Sequence, residues 1–312
     1  MGSMGLLARA CSHGGMWLNG GRRVTASLVL AAGAQVLATP ALAQTQTCTP
    51  NPPAYGNQTL DGSTTMDVDD GQVACDTKIN ATGLQNVLSG GQAIVTTLSG
   101  TNAEQWIFTG GTAEHTTISS GGSQMIYGGK AEHTIIDSGG HQKVSAGTAT
   151  STTILGDGNH LGPNLGYQAV SSGGKAVATE IYGGGQAIDR GGNAEATRIH
   201  SGGVQSVYSG GSATSTTIYS GGTQDVSKGG TAIQTFVRGG VVSNTTTPLS
   251  ATQSVYSGGE AKNTVIGAYG VQSVYEGDWR QGACWRKSLQ PLCQRLNHLY
   301  SVGRLSDCWL RR

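Results

Sequence analysis

The sequence is poor in several things that soluble domains usually have in quantity. Charged residues make up 12% of the 312-residue chain, about half the usual share. Phenylalanine occurs twice and aromatic residues reach 5%. A coiled coil or helical bundle needs sustained heptads with charged flanks, so both are excluded, as is a compact α/β enzyme of ordinary make-up. No apolar run is long enough to span a membrane as a helix. Acids do not cluster either. Between Asn80 and Glu276 the only aspartates are Asp137, Asp157, Asp189 and Asp225, with no recurrent pair. That argues against a polysaccharide-cleaving enzyme, which needs two carboxylates at one place. There is no Cys-x-x-Cys and no phosphate-cradling loop, and Gly156-Asp157-Gly158 is a lone, poor match to a calcium-binding repeat. No cofactor and no metal site are expected. Glu114-His115 and Glu132-His133 share a repeat position, which makes zinc conceivable, but these side chains read as solvated surface.

The formal net charge of +1 conceals a split. Before Asp61 there are three basic residues, Arg9, Arg22 and Arg23, and no acids; from Trp279 to Arg312 there are seven basic residues and one acid. The stretch between holds nine basic and seventeen acidic residues, a balance of −8. An acidic body gives no electrostatic footprint for nucleic acid.

What is present begins with an address. Arg22 and Arg23 precede the apolar stretch Val24–Ala38, followed by small residues at Ala41 and Ala43. This is the n-region, h-region and A-x-A site of a secretory signal, with cleavage expected between Ala43 and Gln44. Residues 1–43 are then the signal, with an extended leader before Met16. Export permits disulfides. Cys48 and Cys75 are the only cysteines between the signal and residue 283, so they are expected to pair and staple the segment 44–60 that leads into the body, unless both remain free thiols.

The body is a repeat. The triplet Gln-x-(Val/Ile) occurs at Gln85, Gln105, Gln124, Gln142, Gln168, Gln186, Gln205, Gln224, Gln253 and Gln272, with steps of 18–20 residues in seven of nine cases. Seven or eight residues after nine of these glutamines comes an alanine, three further on a threonine, and two further on Leu, Ile or Val. The consensus S-G-G-x-Q-x-V-x-x-G-G-x-A-x-x-T-x-I-x is about 19 residues long, and Ser201–Arg238 follows it twice in succession. Gln and Val share parity on an extended strand and point the same way. The residue between them is Asn86, Trp106, Met125, Lys143, Ser206 or Asp225, a tolerance that only solvent allows. The fixed set faces inward, and the Gly-Gly pairs supply the positive φ of tight corners between two short strands.

A single repeat cannot bury its few apolar side chains, whereas stacked repeats form a continuous core. A lone buried amide would be costly; amides stacked at about 4.8 Å can hydrogen-bond along the column. The sequence therefore predicts an all-β chain, a right-handed parallel β-helix (β-solenoid) of about eleven 19-residue rungs over residues 61–278. Insertions at Gly156–Gly166 and Gly239–Ser250 break the rhythm and are expected to be loops. Tyr127, Tyr208, Tyr256 and Tyr275 each follow the inward Val or Ile of the triplet. On a flat face they could stack on sugars or on another rod, or pack at the corners.

Ser201-to-Thr235 resembles the stalk repeat of AIDA-type (antigen 43-like) autotransporter adhesins of Gram-negative bacteria. That resemblance implies type V secretion, display at the outer surface, adhesion to host or abiotic surfaces, self-association, autoaggregation and biofilm formation. It also implies O-glycosylation on the outward face, at Thr97, Thr117, Thr153 and Thr217. Members of that family end in a translocator barrel. No strand series suited to one is present here, so this chain is not expected to export or anchor itself alone and would remain periplasmic or secreted. Residues 279–312 depart from the repeat; the codons of Trp279–Gly282, shifted by one base, can read Gly-Gly-Lys-Ala. The tail reads as out of frame, or else as a basic amphipathic helix. Three functions stay open: a non-catalytic adhesin stalk, a carbohydrate-active β-helix enzyme, and an inert truncated product.

Overall fold

The computed structural model describes residues 54–156, 165–241 and 247–275. Every element among them is a strand. The strands stack in parallel as a β-solenoid of eleven coils, each adding one strand to an eleven-stranded sheet that runs from Thr65–Val68 to Gly270–Val274. A second, nineteen-stranded sheet carries the alanine and Thr-x-Ile segments. Register holds residue by residue: Gln186 pairs with Gln205, Gln205 with Gln224, Ala194 with Ala213 and Ile199 with Ile218.

Period-two patterning accounts for this. Leu84–Val87, Val204–Val207 and Thr223–Val226 each alternate half-buried and buried along the strand. The inward side chains form three columns along the axis. The triplet Val or Ile packs with the alanine column. The second-strand Leu, Ile or Val forms a separate apolar column. Between them run buried glutamines and threonines.

The polar column is satisfied. Gln186 donates through Nε2 to Gln168 Oε1 at 2.6 Å and to the Thr179 hydroxyl at 3.2 Å. Its own Oε1 accepts from Gln205 Nε2 at 2.7 Å and from the Thr197 hydroxyl at 3.3 Å. Two donors and two acceptors exhaust what a side-chain amide can make, so full burial costs it no lost partner. At the first coil Met66 stands in register with Gln85, and the Gln85 amide turns to the Thr77 hydroxyl at 3.3 Å. The ladder thus closes on an apolar side chain.

The corners differ from the sequence reading in two ways. First, the two glycines of a pair do different work. Gly191 has φ of 85°, the conformation that glycine adopts without strain. Gly192 has no positive φ; a Cβ there would run into the carbonyl of Val170 on the preceding coil. Only the first glycine supplies positive φ, and the second permits close approach.

Second, there is a left-handed corner with no glycine at all. The residue before the inward threonine has φ between 52° and 58° in coil after coil, including Asp76, Val95, His115, His133, Ala178, Ser215 and Asn263. Each coil therefore has three straight segments rather than two. The strain, about 1–2 kcal/mol for an L-residue, is held by ladder bonds such as Ala178 N–H to Glu195 O at 2.9 Å and Ser215 N–H to Ile233 O at 2.9 Å.

Both insertions leave the column intact. Gln168 donates to Gln142 at 2.6 Å across the first, and Gln253 to Gln224 at 2.7 Å across the second. Within the second, Gly240–Val241 and Pro248–Leu249 pair antiparallel.

Candidate adhesion surface

With the interior fixed, the outward positions are where recognition can vary. The ten glutamines form the interior column, buried from Gln85 to Gln253 and half-buried at Gln272 on the last coil. Every link between neighbouring glutamines runs the same way, each amide donating to the coil before it, as Gln105 to Gln85 at 2.7 Å and Gln272 to Gln253 at 2.8 Å.

The four tyrosines after the triplet Val or Ile are exposed, but they do not make one surface. Tyr256 and Tyr275, on successive coils, stack at 5.0 Å with planes 12° apart. Tyr127 instead joins Trp106 and Phe108: Trp106 meets Phe108 and Tyr127 edge-on at 6.2 and 6.0 Å, and Phe108 faces Tyr127 at 6.2 Å. Glu104 accepts from the Trp106 indole at 2.9 Å and fixes the ring. Tyr208 lies between these groups along the same column. Trp106 and Phe108 flank Ile107 in the sequence, and the inward Ile turns both outward.

The Thr-x-Ile face carries a second aromatic column: in the sequence Tyr182 and Tyr219 each follow the Ile of the second strand, and His200 stands between them. Tyr182 stacks on His200 at 4.1 Å and 9°, and His200 on Tyr219 at 5.0 Å and 16°. Glu180 organises the group. It contacts His200 Nε2 at 2.7 Å and accepts from Arg198 at 2.9 Å. The hydrogen bond from Arg198 to Glu180, and then the carboxylate charge, raise the guanidinium further above its ordinary value. Burial, then the charge of Glu180, raises the Tyr182 hydroxyl. Rings stacked along the axis use their faces on one another and turn their edges outward. A ligand can meet a ring face only at the end of such a stack.

His115 and His133 stack at 4.9 Å, with Glu114 and Glu132 in register beside them. Among the described residues no three His, Cys, Asp or Glu side chains gather to hold a metal ion. Thr97, Thr117, Thr153 and Thr217 all lie on the outer side of the Thr-x-Ile strands, at least partly exposed. On the opposite sheet, burial raises the Asp225 carboxyl, and a hydrogen bond with Ser254 works against it. Cys75 is buried and disulfide-bonded. Cys48, the cleavage pair Ala43 and Gln44, the loop centre and the tail from residue 276 lie outside the described residues.

Residues 190–240 match a family described as AIDA, "Adhesin of bacterial autotransporter system, probable stalk". Over these residues the coils carry the AIDA-type stalk repeat. The inward set of the matched residues, with Gln205, Ala213 and Thr216, recurs in register along the remaining coils of the solenoid. Among solved structures, the repeat array is similar to a TibC-catalysed, hyper-glycosylated fragment of TibA covering residues 55–350 of that protein. Identity is 29%, 73% of this chain and 99% of that chain are covered, and the TM-score is 0.49. It is also similar to the Dettilon tailspike protein (gp208), at 9% identity, with 68% and 60% covered and a TM-score of 0.35. No curated protein matches the chain.

Proposed function

We propose that the chain is a non-catalytic stalk that attaches cells to one another and to host or abiotic surfaces, producing autoaggregation and biofilm. The family implies export to the cell surface, and the proposed route begins with signal cleavage between Ala43 and Gln44. The observation that carries the reading is the satisfied amide ladder. It makes the coil interior depend on a small inward set and leaves most outward positions free to vary, which suits a rod that works by its faces. Two such rods laid side by side would meet through polar edges and the exposed aromatics of both sheets. Self-association then adds weak contacts over many coils, and avidity follows from their number rather than from any one of them.

The test is a settling assay on cells displaying the intact passenger and on cells deleted for residues 61–275. Displaying cells are expected to settle and to recruit one another in mixed culture. Equal settling of the two strains would refute the self-association reading.

A further inference from the structure

We propose that a hollow on the Thr-x-Ile face, where Arg238 is followed by Gly267, binds an acidic saccharide. The inference rests on the surface-attachment reading and names a ligand for it. The positions after the second-strand apolar residue form a column on successive coils: Leu155, Tyr182, His200, Tyr219, Arg238, Gly267. Side chains fill this column until Gly267, where it stops. The backbone does not require glycine there. Gly267 has no positive φ, and a Cβ would meet only the Val237 carbonyl at 3.6 Å and the Arg238 stem at 3.8 Å, which is ordinary contact. Gly259 on the same coil is unlike it, since a Cβ there would strike the Val226 carbonyl. The missing side chain at Gly267 therefore serves space, not conformation.

The space is a hollow of about 310 Å³ bounded by Tyr219, Phe236, Arg238, Val265, Gly267 and Ala268, at the small end of the range for ligand sites. Its walls ask for two things at once. Phe236 and Val265 are 52% and 37% exposed, an apolar wall in contact with water. Tyr219, with one face on His200, also lines the hollow. Arg238 makes no ion pair with a described residue, whereas Arg198 on the same face is neutralised by Glu180 at 2.9 Å. A purely apolar partner would cover Arg238 and leave its charge desolvated and unpaired. A bare anion would leave Phe236 and Val265 in water. A six-membered sugar bearing a carboxylate answers both: its C–H face lies on Phe236 and Val265, and its carboxylate takes the two-pronged hydrogen bond that guanidinium offers.

The test measures binding of a fluorescent hyaluronan hexasaccharide to the full chain, with a neutral dextran oligosaccharide as control. Wild type is expected to bind the uronate sugar and not dextran. Arg238→Gln removes the charge and Gly267→Leu fills the hollow; each is expected to weaken binding at least tenfold with the melting temperature unchanged. Lys143→Gln, on the opposite sheet, should bind as wild type. Equal binding by all variants, equal binding of dextran, or no uronate binding by wild type overturns the proposal. So does a result in which Arg238→Gln and Gly267→Leu abolish self-association in sedimentation while no sugar binds, since the occupant is then a second copy. Loss of sugar binding in Arg238→Gln with settling retained supports the site and keeps the two readings apart. Wild-type sugar binding without settling supports the site and defeats self-association.

Discussion

The side-chain amide of Gln205 donates to Gln186 Oε1 at 2.7 Å, one coil away. Gln205 in turn accepts from Gln224 at 2.7 Å and from the Thr216 hydroxyl at 3.2 Å. Replacing it with leucine keeps the volume and strands both of those donors in an interior without water. Gln205→Leu is expected to cost roughly 2–4 kcal/mol, the usual penalty for buried polar groups left unpaired. Chemical denaturation measures it; a variant as stable as wild type would mean that the column is not a working ladder.

Gln205→Glu separates charge from shape. An ionised carboxylate can still accept from Gln224 but has nothing to donate to Gln186. Burial favours its neutral form, so its folded-state pKa should lie above the unfolded value. The fold then binds the proton more tightly than the unfolded chain does, and stability should rise as pH falls through the raised value. Melting curves between pH 8 and pH 4 should show this for the variant far more strongly than for wild type.

Asp225 offers the same sign in the natural sequence. Its carboxyl is raised by burial against the opposing bond from Ser254, so its charged form is the disfavoured one. Asp225→Asn is expected to raise the melting temperature at neutral pH and to lose that advantage in acid, where wild-type Asp225 is itself neutral. A variant that melts below wild type at neutral pH would show that the Ser254 bond outweighs burial.

The coil interior was legible in the sequence because each inward position is chemically restricted and recurs at fixed parity: Gln, Val, Ala, Thr, Ile. The corner before the threonine was not. Its occupants run from Val95 through His115 to Asn263, and no residue type marks a left-handed turn imposed by stacking. The glycine pair was half legible. Positive φ is the familiar reason for glycine, but the clash of a Gly192 Cβ with the Val170 carbonyl depends on a neighbouring coil. Surface groupings were least legible. Tyr182, His200 and Tyr219 become one stack, and Tyr127 joins Trp106 and Phe108, only once register sets which outward residues are adjacent.

That division of labour gives a test on two adjacent residues. Gly191→Ala puts a methyl into a left-handed residue where it meets only the Gly173 nitrogen at 3.8 Å, an ordinary contact, and should cost about 1 kcal/mol. Gly192→Ala puts the same methyl against the carbonyl of the coil beneath, which must separate to admit it, and should cost about 3 kcal/mol or more. Two variants of equal stability would remove the distinction between them.

Cys75 lies on the outer side of its strand, yet it is buried with Val73 and Ile94 in a small cluster separate from the two interior columns. It is disulfide-bonded, and the proposed partner is Cys48. A bridge there would close a loop over the first coils and contribute about 3–4 kcal/mol in the chain-entropy picture. Stacked coils interact mainly with their neighbours, so the loss on reduction should fall on the N-terminal coils. Hydrogen exchange should then accelerate from Thr65 to about Ser119 and hardly change around Gln205. Peptide mapping without reductant should recover Cys48 joined to Cys75. A fragment joining Cys75 to any other cysteine would overturn the pairing, and uniform acceleration along the rod would overturn the nearest-neighbour account of its stability.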